Sequence, residues 1–153
     1  MINYFWYPGL PNKNVKEILG KPLIAFSIQQ AFESDLFDKI VVSTDSDEIG
    51  EIAKKFGAEY WFSRPAELSK DDSPKIPVIK HALEESEKKF NCKFSHIIDL
   101  DITAPLRNVE DIRQAYNIFL KDSFDNLITG TRSRKNPYFN MIEIKNGEIE
   151  LSK

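Results

Sequence analysis

Residues 38–57 read DKIVVSTDSDEIGEIAKKFG, and the change of period inside this stretch decides the fold. Ile40, Val41 and Val42 form a short continuous apolar run, the pattern of a buried strand, whereas Ile49, Ile52, Ala53 and Phe56 recur at spacings of three and four, the pattern of a helix. Gly57 stands where a helix stops, and Asp45 with Glu48 has the spacing of a capping box, so Asp45 reads as a cap rather than a ligand. A strand that passes directly into a helix suggests one half of a βα unit.

The same alternation continues on both sides. Upstream, Leu23, Ala25, Phe26, Ile28 and Ala31 give an apolar helical stripe; before it, PGLPNKN (residues 8–14) is a loop interrupted by two prolines, preceded only by the short aromatic run Tyr4 to Tyr7 as a candidate strand. Downstream, AEYWF reads as a strand and SRPAELSKDDSPK as a long polar loop. Ile76, Ile79, Leu83 and Phe90 mark a helix, and FSHIIDLD a strand with an acidic end. Asn108 is placed to cap a helix carrying Val109, Ile112, Tyr116 and Phe119; NLITGTR reads as a further strand, and FNMIEIKNGEIELS as an edge hairpin turning at Asn146-Gly147. The expectation is an α/β fold of one domain over residues 1–153, with a mostly parallel sheet, helices on both faces and ligands at the carboxyl ends of the strands.

Composition narrows the class. The 153 residues are 41% hydrophobic and 29% charged, as in an ordinary globular protein. A net charge of −3 argues against nucleic-acid binding, which needs a basic field. Cys92 is alone, which excludes an internal disulfide or a cysteine metal site and suits a reducing compartment. No apolar run spans a bilayer and no signal-peptide pattern opens the chain, so the expected location is the cytoplasm, with no membrane partner. His81 and His96 have no acidic partner at metal-ligand spacing and read as structural.

A parallel sheet would gather Asp45, Arg64, Ser73, Asp99, Asp101, Thr103, Arg107, Arg132 and Arg134 on one rim. Arginine gives planar recognition of phosphate, carboxylate or a base carbonyl, and a carboxylate at a strand end holds Mg²⁺ while phosphates supply other ligands. Neither a Walker sequence nor G-x-G-x-x-G occurs, which argues against a P-loop or a dinucleotide fingerprint.

The motifs GLPNKN, GKPLIAFSI, KIVVSTDSDEI, RPAELSKDDS, DLDITAPLR and NPYF, in this order, resemble the CMP-N-acylneuraminate synthetases, and DLDITAPLR is nearest the bacterial legionaminate-type enzymes. The resemblance implies a Rossmann-like nucleotidyltransferase domain that couples CTP to a nonulosonic, sialic-type sugar acid, gives the CMP-sugar and pyrophosphate, uses Mg²⁺ and admits a homodimer. It also implies roles. Gly9, Asn14, Arg64, Ser73 and Asp101 fall at nucleotide-binding positions; Lys13 and Lys21 are cations for phosphate and catalysis; Arg132 and Arg134 meet the sugar carboxylate; and Asp101 is also the metal ligand. Lys75 stands where the family has a second serine, and Asp101 where it has a glutamine. Pro8 stands where a phosphate-gripping lysine is expected, MINYFWY replaces the family's first strand and most of its Gly-rich loop, and the chain stops at Lys153. The expectation is therefore a form truncated at both ends and impaired in activity. Two alternatives remain: a 3-deoxy-manno-octulosonate cytidylyltransferase, poorer around DLDITAPLR, and a non-catalytic remnant that binds nucleotide or a partner.

Overall fold

The computed structural model describes residues 2–3, 12–70, 73–121, 124–130, 141–145 and 148–151. The chain divides into two compact units, Met1–Tyr116 and Asn117–Lys153, each with its own β-structure. The first holds β1 (Ile2–Asn3), a 3₁₀ turn (Lys13–Val15), β2 (Glu17–Ile18), β3 (Lys21–Pro22), α1 (Leu23–Ser34), β4 (Val42–Ser43) and α2 (Asp47–Lys55). A second 3₁₀ turn (Ala66–Leu68), α3 (Lys75–Phe90), β5 (Leu100–Asp101) and most of α4 (Val109–Lys121) complete it; β6 (Ile142–Lys145) and β7 (Glu148–Leu151) lie in the second unit.

β1 lies between β4 and β5 and is parallel to both: Ile2 is opposite Val42 and Leu100, and Asn3 opposite Ser43 and Asp101. The sheet is parallel, as the alternating pattern predicts. Ile40, Val42, Leu100 and Ile102 join one core with Leu23, Ile24, Ile28 and Ala31 of α1, Ile49 and Ala53 of α2, and Ile112 of α4. Val41 falls outside that cluster, since successive strand residues point to opposite faces, and lines a cleft with Leu83 and Ser86 of α3. Helices therefore cover both faces.

Several local expectations are corrected. Asp45 does not cap α2; Ser46 does, its Oγ accepting from the Ile49 amide at 3.4 Å, and Asp45 instead pairs with Arg64. The register explains it: Ser46 immediately precedes the first helical residue, and Asp47 and Glu48 then place negative charge in the first turn. AEYWF contributes one parallel bridge, Val41 to Glu59, rather than a full strand. Within FSHIIDLD the ladder to β1 is described at Leu100–Asp101, opposite Ile2–Asn3. The buried face of α3 is Val78, Ala82 and Ser86, spaced by four, while Ile76 is 73% exposed. Residues 126–130 form no strand and Ile128 is 90% exposed. β6 and β7 pair with each other as an antiparallel two-stranded sheet, and Asn146-Gly147 lies outside the described residues, as does Tyr4 to Tyr7.

Other expectations hold. Gly57 ends α2 with φ +95°, the left-handed conformation that favours glycine. Asn108 caps α4 reciprocally: its Oδ1 accepts from the Asp111 amide and its own amide donates to Asp111 Oδ2, each at 2.9 Å. An additional small hairpin, β2 to β3, turns at Leu19 and Gly20, both with positive φ as a tight hairpin requires, and delivers Lys21 to the start of α1.

Tyr60 closes the outer side of α2. It is buried and its hydroxyl donates to Asp47 Oδ1 at 2.6 Å; burial first, then this carboxylate, pushes the phenol up to about 12. The folded state thus favours the neutral phenol. Its contribution is fully present below pH 10, the ordinary phenol value, and is lost as the pH rises towards 12. Urea midpoints at pH 9 and pH 12 should differ more for the parent than for Tyr60→Phe, and Tyr60→Phe should cost about 1.5–3 kcal/mol at pH 8. Equal pH dependence of the two chains would refute this account.

Candidate active site on the carboxyl rim

The register of the sheet sets the site, because Ser43, Asn3 and Asp101 lie side by side and the chain leaves all three strands at one level. Two described connections leave at this rim, Thr44–Asp45 after β4 and residues 102–107 after β5, and the 3₁₀ turn that carries Asn14 packs against α1 and against α2, the helix that follows β4. In open parallel sheets this is where ligands bind.

Asn14 is 1% exposed, and neither its Oδ1 nor its Nδ2 has a hydrogen-bond partner among the described residues. An amide in that state costs about 1–3 kcal/mol, so it points to a further polar group. Lys13, beside it, is half-buried, and Lys21 donates to Gln29 Oε1 at 3.1 Å on α1.

Arg64 is 4% exposed. Its amide donates to Thr44 O at 2.8 Å, tying the segment after residue 60 to the end of β4; its Nε donates to Ser69 Oγ at 3.1 Å, and its Nη2 lies 3.6 Å from Asp45 Oδ1. The guanidinium is therefore pre-oriented by a carboxylate and a hydroxyl. Ser73 Oγ accepts from the Lys70 amide at 3.0 Å and donates to Glu67 O at 3.2 Å, so it closes the polar loop on itself. At the start of α3, Lys75 pairs with Asp99 at 2.6 Å.

Asp101 ends β5. Its Oδ1 accepts from the Thr103 amide at 2.9 Å and from Thr103 Oγ1 at 2.8 Å, leaving Oδ2 for a further ligand. Among the described residues no group of three or more His, Cys, Asp or Glu side chains gathers to hold a metal. His96 Nδ1 lies 3.1 Å from the Tyr116 hydroxyl, and His81 packs edge-on against Phe62. Gly9, Arg132 and Arg134 lie outside the described residues.

The structure thus brings Arg64 together with Asp45 and Ser69, and Asp101 with Thr103, at the carboxyl end of the sheet, while Asn14 sits in the turn packed against α1 and α2. Sequence reasoning missed Ser69, and also Ser27 and Gln30 of α1, which reach the loop after β5. The signal was available for one of them: Ser27 stands between Phe26 and Ile28 in an apolar stripe and is fully buried.

The sequence profile of a family described as Cytidylyltransferase matches residues 8–145. The chain belongs to this family. It is 49% identical over 145 residues to post-translational flagellin modification protein B of Campylobacter coli, covering 95% of this chain and 62% of that protein. The same coverage, at 48% identity over 145 residues, holds for CMP-N,N'-diacetyllegionaminic acid synthase of Campylobacter jejuni subsp. jejuni. An N-acylneuraminate cytidylyltransferase of Escherichia coli is 34% identical over 128 residues, which is 83% of this chain and 29% of that protein. The chain therefore spans about three fifths of the length of the first two relatives (62%). A CMP:2-keto-3-deoxy-manno-octonic acid synthetase solved in complex with CTP shares the fold, with a TM-score of 0.61 at 20% identity over 80% of this chain and 46% of that one. That structure bears on fold alone. Among the described residues, no helix is long and apolar enough to cross a membrane.

Proposed function

We propose that the chain forms the nucleotide-binding part of a cytidylyltransferase that couples CTP to a nonulosonic sugar acid, releasing pyrophosphate. The observation that carries the reading is the amide of Asn14, buried and without a partner among the described residues, in the turn packed against α1 and α2 of a member of this family. A cytosine or ribose edge offers both a donor and an acceptor, so one ligand satisfies both ends of the amide. Relatives bearing legionaminic, pseudaminic and acylneuraminic names favour a nonulosonic acid over the octonic acid of the fold neighbour.

In this reading a sugar hydroxyl oxygen attacks the α-phosphorus of CTP in line, the bond to the bridging oxygen breaks, pyrophosphate leaves and the hydroxyl proton passes to solvent. Arg64, pre-oriented by Asp45 and Ser69, meets the base; Ser73 shapes the loop beside it; Lys13 and Lys21, with Gly9, meet phosphate; Arg132 and Arg134 meet the sugar carboxylate. Asp101 Oδ2 suits Mg²⁺ as a single protein ligand beside substrate phosphates, the usual arrangement for this ion. Bound there, Mg²⁺ would neutralise charge on the phosphates. A homodimer and a cytoplasmic location belong to the same proposal.

Calorimetric titration of the chain with CTP, UTP and ATP in Mg²⁺ should rank CTP first, and a pyrophosphate-release assay with N,N'-diacetyllegionaminic, pseudaminic and N-acetylneuraminic acids should identify the acceptor. Equal or tighter binding of ATP would remove the basis of the proposal. CTP binding without turnover on any acid would favour the non-catalytic alternative.

A further inference from the structure

Arg107 is half-buried, with its guanidinium turned to α1 and the end of β5. Its Nη2 donates to Ser27 Oγ at 3.2 Å and to Gln30 Oε1 at 3.1 Å, both on α1, while its Nη1 points at Asp101 O at 3.5 Å. Ser27 Oγ also points at Asp101 O at 3.5 Å. Gln30 completes the ring of contacts, its Nε2 donating to Pro105 O at 3.0 Å and to Arg107 O. The backbone of the same loop is wound into two successive turns, Ala104 N to Asp101 O and Arg107 N to Ala104 O.

We infer that Arg107, with Ser27 and Gln30, is a positioning clamp that fixes the Asp101–Thr103 turn against α1 and so sets where the Asp101 carboxylate stands on the rim. The inference rests on the proposed nucleotide-binding reading for its functional consequence, though not for its geometry. The carboxylate and the carbonyl of Asp101 share one Cα: Oδ1 organises Thr103, and the clamp holds the carbonyl. A guanidinium suits the task because its planar fork serves acceptors in several fixed directions, which an ammonium on a flexible stem does not. Burial lowers the guanidinium's pKa from its ordinary value while Asp101, Asp99 and Asp111 raise it, so the group stays a cation and a full set of donors. Its Nε is buried without a partner among the described residues, a cost that the grip on the loop offsets.

The test compares the parent chain with Arg107→Lys, Arg107→Met and the milder Ser27→Ala by three readouts: thermal unfolding, the NMR resonance of the Thr103 amide, and calorimetric CTP affinity in Mg²⁺. Arg107→Lys should keep the fold, shift the Thr103 amide and weaken CTP about 10–100-fold, the scale expected when a site group is misplaced by about an ångström. Ser27→Ala should shift the same resonance by less, with unchanged unfolding. If Arg107→Met fails to fold, the other two variants decide. An unmoved Thr103 resonance in Arg107→Lys and Ser27→Ala overturns the clamp whether or not CTP binds. Failure of the parent chain to bind CTP would instead overturn the nucleotide-binding reading, leaving the Thr103 response to judge the clamp alone. A moved resonance with full CTP affinity in Arg107→Lys would overturn its functional consequence.

Discussion

Arg64→Ala should weaken CTP binding by about 1.5–3 kcal/mol, the contribution of a hydrogen bond to a charged group, or roughly 10–150-fold. The structure adds a second consequence that the sequence alone did not suggest. Arg64 is buried, and truncation would leave Asp45 and Ser69 without the guanidinium that joins them. Asp45 is itself well exposed and water can solvate it, so the stability cost should stay modest, about 1 kcal/mol, as for a pair with one exposed partner. Two measurements separate the roles. Calorimetry on Arg64→Ala and Arg64→Lys reads the ligand contact, and urea unfolding reads the side-chain pairing of residue 64 with Asp45 and Ser69. Lysine should recover part of the stability but little of the affinity, since it lacks the planar fork. Undiminished CTP affinity in both variants would make Arg64 a structural residue only.

What the sequence made legible follows the range of the forces involved. The periods of three and four that place α1, α2, α3 and α4 arise from burial along single helices, and the parallel sheet follows from strands alternating with them. Capping at Asn108 and the stop at Gly57 depend on neighbours within a turn, and both were readable. Readings failed where a tertiary partner decides. AEYWF has strand composition, yet a strand exists only where a neighbour offers a ladder, and there it makes the single bridge Val41 to Glu59. Asp45 and Ser46 are both good caps in isolation; the buried Arg64, nineteen residues beyond Asp45, engages it. The family motifs singled out Asn14, Arg64, Ser73 and Asp101 as candidates, without the neighbours the structure gives them. That Arg64 leans on Ser69, and that α1 supports the loop after β5, needs the packed chain.

Gly50→Ala should destabilise the chain by about 2–4 kcal/mol although it replaces the poorest ordinary helix former with the best, a change that would by itself gain about 1 kcal/mol. The cause is the ring of Tyr60. A Cβ at residue 50 would stand 2.3 Å from Tyr60 Cδ1 and Cε1 and 2.5 Å from Cζ, well inside any tolerated contact. The ring cannot easily yield. It is buried, its hydroxyl is held by Asp47 one turn earlier on the same helix, and Lys54 Nζ lies 5.8 Å from its centroid one turn later. Swinging out would break the Asp47 hydrogen bond, at about 1.5–3 kcal/mol, and expose the ring; shifting the helix would disturb Ile49 and Ala53 in the core. For a domain of this size the loss should appear as a fall in melting temperature of about 5–15 °C. A double-mutant cycle isolates the contact: in a Tyr60→Leu background the added methyl meets no ring, so Gly50→Ala should become neutral or stabilising through helix propensity. Equal destabilisation in both backgrounds would show that Gly50 is required for some reason other than the close approach of Tyr60.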